Sequence, residues 1–223
     1  MGISNTIPPS RLIQPGVVAN TAARPTSPFT GQAIYQVDTN QMLLWNGTAW
    51  VIPNSPAQNP TGLELVATQT VGTTQSSVTV ASCFSATYDN YKITYIGGQS
   101  SAACHLTIQL SGITTAYYGG IMHISAAPGG VTVAGVNNAA SWTYAGMMRG
   151  STAGGSLDFD LHGPFLSNCR TRVNAPYVRD DDQSFGTFTG VVENATSATG
   201  FVMATSTGTI TGGTIRVYGY RNS

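Results

Sequence analysis

Charge is scarce in this sequence. Charged residues make up 8% of it, nine basic against nine acidic, where an ordinary globular protein carries roughly 25%. Lys92 is the only lysine. Holding a phosphate backbone requires clustered cations that release counterions, so nucleic acid is not an expected partner. Cysteine is also rare: Cys83, Cys104 and Cys169 form an odd set without a CxxC pair, which excludes a complete disulfide framework and zinc-ligand spacing. Cys104 shares one side of a strand pattern with Leu106, Ile108 and Leu110 and is expected to be a buried thiol. No stretch approaches the ~20 apolar residues of a membrane helix. No cationic segment followed by an apolar run marks a secretory signal. The expected protein is made in a cytoplasm without membrane insertion. Nucleophile-elbow, P-loop, dinucleotide and HExxH patterns are absent, so neither enzyme activity nor a cofactor is expected.

What is present is apolar: 41% of residues are hydrophobic, enough for a core despite the missing charge. Proline divides the chain. Eight of the eleven prolines fall in residues 1–60, where each removes a donor and turns its predecessor away from helix. Residues 1–30 read as an extended arm and 53–62 as a proline-rich linker. Between them, 31–52 read as a three-stranded meander: Gln32–Val37, a turn at Asp38–Asn40, Met42–Trp45, an Asn46-Gly47 hairpin and Thr48–Ile52. It is too small to be stable alone.

Residues 63–223 show short strand patterns and no convincing helix. Candidates are 63–71, 76–82, 91–97, 104–111, 131–135, 142–149, 156–162, 184–192, 200–206 and 209–220, with turns at Gly97-Gly98, Pro128-Gly129-Gly130, Gly154-Gly155 and Gly212-Gly213. Tyr91, Ile93 and Tyr95 alternate with Lys92 and Thr94, and Leu157, Phe159 and Leu161 with Asp158, Asp160 and His162. The fold class is all-β: an antiparallel sandwich or jelly roll behind the arm and meander.

Three stretches carry a resemblance. Pro9-Ser10-Arg11-Leu12-Ile13-Gln14-Pro15-Gly16-Val17 leads into Arg24-Pro25, Gly31-Gln32-Ala33-Ile34-Tyr35 and Trp45-Asn46-Gly47-Thr48-Ala49-Trp50-Val51. This resembles the N-terminal segment of bacteriophage tail-fibre and other virion proteins. Phe84–Ile93 and Gly208–Tyr220 resemble phage fibre-associated β-domains. The resemblance implies a particle protein, trimeric, partnered by other phage structural proteins in tail or capsid and located in the virion. Residues 1–52 would attach it, with Arg11, Leu12, Ile34, Tyr35, Trp45 and Trp50 as candidate contacts. A short tail fibre or tail-associated appendage leads, and a capsid decoration (head fibre or cement) protein is the alternative. A carbohydrate-binding host-receptor module is the rival of another class. Its candidates are Tyr117, Tyr118, Trp142 and Tyr144, aromatics near Gly- and Ser-rich segments; the competing reading is core or interface packing.

Two polar constellations remain. Asp158, Asp160 and His162 share one strand face at a spacing that could hold a divalent ion, or they are the polar side of that strand. The latter reading is adopted, so no metal is expected. Asp180-Asp181-Asp182 read as a solvated loop or as partners of Arg170 or Arg172 across a subunit boundary.

Overall fold

The computed structural model describes residues 16–53, 62–126, 129–150, 155–179 and 183–222. Arg11, Leu12, most of the 53–62 linker and Asp180–Asp182 lie outside the described residues. The chain divides into two compact units, 1–60 and 61–223.

The first unit is a four-stranded sheet in the order β1 (Gly16–Val18), β2 (Ala33–Gln36), β3 (Gln41–Trp45), β4 (Trp50–Val51). The meander is there, but the arm is not wholly extended. Gly16–Val18 pairs in parallel with Ile34–Gln36, adding a fourth strand. Its return path is a 3-10 turn at Thr21–Ala23, begun by the Asn20 side chain, which accepts the N–H groups of Ala22 and Ala23. Buried Gln36 holds that path down: Arg24 Nε donates to its carbonyl at 2.7 Å, and its amide donates to Thr21 and Asp38. The Asn46-Gly47 signal also resolves differently. Only Gly47 takes a positive φ there, and the loop runs Asn46–Ala49, with Asn46 Oδ1 accepting the N–H groups of Thr48 and Ala49.

The second unit is a sandwich. Its strands are β5 (Leu63–Thr70), β6 (Ser77–Val80), β7 (Asn90–Ser100), β8 (Ala103–Leu110), β9 (Tyr117–Ser125), β10 (Gly130–Ala139), β11 (Trp142–Arg149), β12 (Gly155–His162), β13 (Arg172–Arg179), β14 (Ser184–Val192), β15 (Phe201–Thr205), β16 (Ile210–Thr211) and β17 (Thr214–Tyr220). One sheet runs β10-β9-β14-β13-β12-β7-β17-β5, and the other β11-β8-β15-β6. Without β9, β10, β13, β14 and the short β16, the sheets are β5-β17-β7-β12 and β6-β15-β8-β11. In chain order that is first-eighth-third-sixth against second-seventh-fourth-fifth, two interlocked Greek keys forming an eight-stranded jelly roll.

Alternation fixes which side chains meet. Tyr91, Ile93 and Tyr95 from β7, with Leu157, Phe159 and Leu161 from β12, face Cys104, Leu106, Ile108 and Leu110 of β8 and Phe201 and Met203 of β15 in one core. Burying a side chain of this size contributes about 1.5–3 kcal/mol.

Two hairpins are inserted into the jelly roll. β9–β10 leaves between its fourth and fifth strands, and β13–β14 between its sixth and seventh. They associate beside β12 as a four-stranded extension, β13-β14-β9-β10. β13 pairs with β12 only from Arg172 to Asn174. Beyond that the strands part around a cleft of about 140 Å³ lined by Met147, Leu157, Asp158, Pro176 and Val178. Pro176 has no N–H to give a neighbour, which suits the side of β13 where pairing stops.

Strands β9 and β13 lie outside the candidate ranges. Glycines interrupt the first at Gly119-Gly120, and Pro176 sits inside the second. Their stability comes from cross-strand partners distant in sequence. Gly97-Gly98 is likewise not a turn but a bend within β7, where a Cβ on Gly98 would collide with the Tyr95 hydroxyl. Residues 209–220 are two strands, broken at Gly212-Gly213, both at positive φ.

Candidate assembly and attachment surfaces

The first unit separates its candidate contacts by face. Ile34 pairs with Leu43 and both are buried, so Ile34 is a core residue rather than an attachment contact. Trp45 and Trp50 are cross-strand partners whose rings meet edge to face, 5.6 Å between centroids, each half-buried. Tyr35 projects on the opposite face, in register with the exposed Val17 and Met42. Val17 was missed in the sequence because nothing placed 16–18 in the sheet. Polar residues around them build turns: Arg24, Gln36 and Asp38 form the clamp, Asn46 closes its loop, and the Tyr35 hydroxyl donates to Asn40.

The aromatic glycan candidates do not form a platform. Tyr117 and Trp142 are fully buried, 5.1 Å apart and perpendicular. Trp142 Nε1 donates to the Tyr118 carbonyl, and its ring lies across Gly190, where a Cβ would not fit. Neither ring can meet a ligand, which corrects that expectation in favour of core packing. Tyr118 is half-buried on the outward face of β9, while half-buried Tyr144 packs against His105.

The acidic pair on β12 is filled by protein groups. Lys92 Nζ stands 2.8 Å from Asp158 and 3.9 Å from Asp160, and the Tyr220 hydroxyl donates to Asp160 at 2.6 Å. The carboxylates accordingly raise the Lys92 pKa. His162 turns instead to Asn90 at 3.2 Å, on the rim of a concavity that it shares with Arg170 and Arg172. Arg170 pairs with Glu193 at 3.0 Å. Among the described residues, no three His, Cys, Asp or Glu are grouped to hold a metal ion.

An apolar surface unannounced by any motif lies on the extension. Cross-strand register aligns Val178, Phe185, Ile124 and Val131 in one row, and Pro176, Thr187, Met122 and Val133 in the next. These side chains point away from the core. Val178, Phe185, Ile124, Val131, Met122 and Val133 are 49–71% exposed. A shallow groove of about 340 Å³ runs between β9, β10 and β14 over Met122, Ile124, Val131 and Phe185. Only the pairing of the two hairpins assembles the outward residues into one surface.

No known family matches this chain, and no characterised protein matches it in sequence. Among solved structures, it is similar to the crystal structure of the infectious bursal disease virus VP2 subviral particle at 12% identity, with a TM-score of 0.11. That alignment covers 90% of this chain and 50% of the other, so the chain spans half the length of that protein. At this TM-score the backbones do not superpose, and the fold stands on its own strand order.

Proposed function

We propose that this is a non-enzymatic bacteriophage virion structural protein: a short tail fibre or tail-associated appendage, attached through residues 1–52 and presenting 63–223 as an oligomeric sandwich. The observation that carries the reading is the first unit. The described part of the N-terminal stretch that resembles virion proteins builds a small sheet in its own unit, divided from the jelly roll near residue 60. A small sheet of this kind gains stability by docking, and it keeps Tyr35, Trp45 and Trp50 partly open to a partner.

A second reading, a capsid decoration protein, is supported by the jelly roll, an architecture common in viral capsid domains and in lectins. The lectin comparison also keeps a host-surface glycan as a candidate ligand, though not at Tyr117 or Trp142. Reconstruction of the virion with the chain labelled tests the proposal. Density on the tail supports the first reading and density on the head the second; absence from purified particles overturns both.

A further inference from the structure

We infer that the outward face of the four-stranded extension is the interface through which copies of this chain bind one another. The inference deepens the proposed function, resting on its oligomeric part and naming the surface responsible. Six large apolar side chains on β9, β10, β13 and β14 are 49–71% exposed to solvent. At on the order of 100 Å² each, the patch is ~600 Å², the upper end of what a typical monomer exposes. A standard interface removes roughly 800 Å² per partner, so the patch and its polar margin match one subunit contact in size.

The occupant is argued from charge. The two aligned rows contain no charged residue. A face without charge offers no electrostatic complement to a different protein, whereas a copy of this nearly uncharged chain meets it without repulsion. The adjoining edge points the same way. β10 is the last strand of its sheet and reads Gly-Val-Thr-Val-Ala-Gly-Val-Asn-Asn-Ala. Solitary edges are usually blunted by lysine, proline or inward charge, and β10 has none. Covering by another subunit removes that liability.

Full-length protein at micromolar concentration is measured by light scattering and sedimentation, beside Phe185→Asp, the double variant Val131→Thr/Val133→Thr, and Leu65→Asp on the far edge strand β5. The wild type should run as a multiple of 23.2 kDa. Phe185→Asp should be monomeric. The threonine pair retains β-branched shape, should keep the wild-type circular dichroism, and should weaken association at least tenfold. Leu65→Asp should remain assembled. Oligomers persisting in both face variants, or lost equally in Leu65→Asp, would overturn the assignment. A monomeric wild type would also overturn it, including one that captured neutral phosphatidylcholine vesicles through this face. Incorporation into particles is scored separately, so a monomer that still incorporates removes this inference and the oligomeric part of the proposed function while leaving the virion role standing.

Discussion

The hydroxyl of Tyr117 accepts the backbone N–H of Leu110 at 2.7 Å and donates to the Ile113 carbonyl at 3.1 Å. One buried oxygen thus ties the end of β8 to the start of the first inserted hairpin. Tyr117→Phe would keep the ring against Trp142 but leave the Leu110 N–H unpaired in the interior. The expected loss is about 1–3 kcal/mol, read as a lower urea midpoint at unchanged slope. An unchanged midpoint would show that the hydroxyl is dispensable at that junction.

Alkaline pH should unfold the sandwich through its tyrosines. Burial pushes Tyr95 and Tyr117 up to about 12, and the hydrogen bond to Asp160 with further burial pushes Tyr220 to about 12. An unfolded tyrosine ionises near ~10. The folded state therefore holds these protons more tightly, and the stability they contribute is intact below pH ~10 and lost as pH rises towards 12. Melting temperature should be flat up to pH ~9 and fall steeply above ~10. Tyr220→Phe should soften that fall. A tyrosinate absorbance titration complete near pH ~10 in folded protein would contradict the assignment.

Chelator and reductant should each leave the melting temperature unchanged. Lys92 already supplies positive charge to Asp158 and Asp160, and all three cysteines are free, with Cys83 and Cys104 buried. Lys92→Met should lower stability by about 0.2–1 kcal/mol, the range typical of solvent-accessible ion pairs. A drop of several degrees with EDTA would reveal a bound ion and displace Lys92 from this role.

Strand content was legible wherever alternation was uninterrupted. Tyr91, Ile93 and Tyr95 face inward as their spacing requires, and so do Leu157, Phe159 and Leu161. The jelly-roll class was within reach, but its order was not, because pairings such as Thr214↔Ile96 join residues that share no local signal. Glycine and proline misled in both directions. Gly97-Gly98 bends a strand that continues, and Pro176 sits in one that sheet context rescues. Ile34 belongs to the same attachment motif as Tyr35 yet points to the other face, where it is buried beside its partner Leu43. The apolar face was invisible for a related reason: Met122, Val133, Val178 and Phe185 become neighbours only when two separate hairpins pair.

The last prediction separates attachment from folding. The second unit contains the whole jelly-roll core, and its sheets close without residues 1–60. A chain beginning at Leu63 should therefore fold cooperatively and keep its oligomeric state, yet fail to enter particles. In the full chain, Trp50→Ala removes one ring of the Trp45–Trp50 pair, each ring of which stays half-buried in the small sheet. Truncating an aromatic anchor of this kind costs about 2 kcal/mol or more of binding. Incorporation should fall accordingly, while the melting of the sandwich stays unchanged. The internal clamp gives a second test of the same unit. Gln36→Leu removes the amide that binds Thr21 and Asp38 and the carbonyl that receives Arg24, so β1 should loosen and incorporation should fall even with both tryptophans in place. If the chain beginning at Leu63 decorated particles at normal occupancy, attachment would lie in the jelly roll instead, and the first unit would need another role.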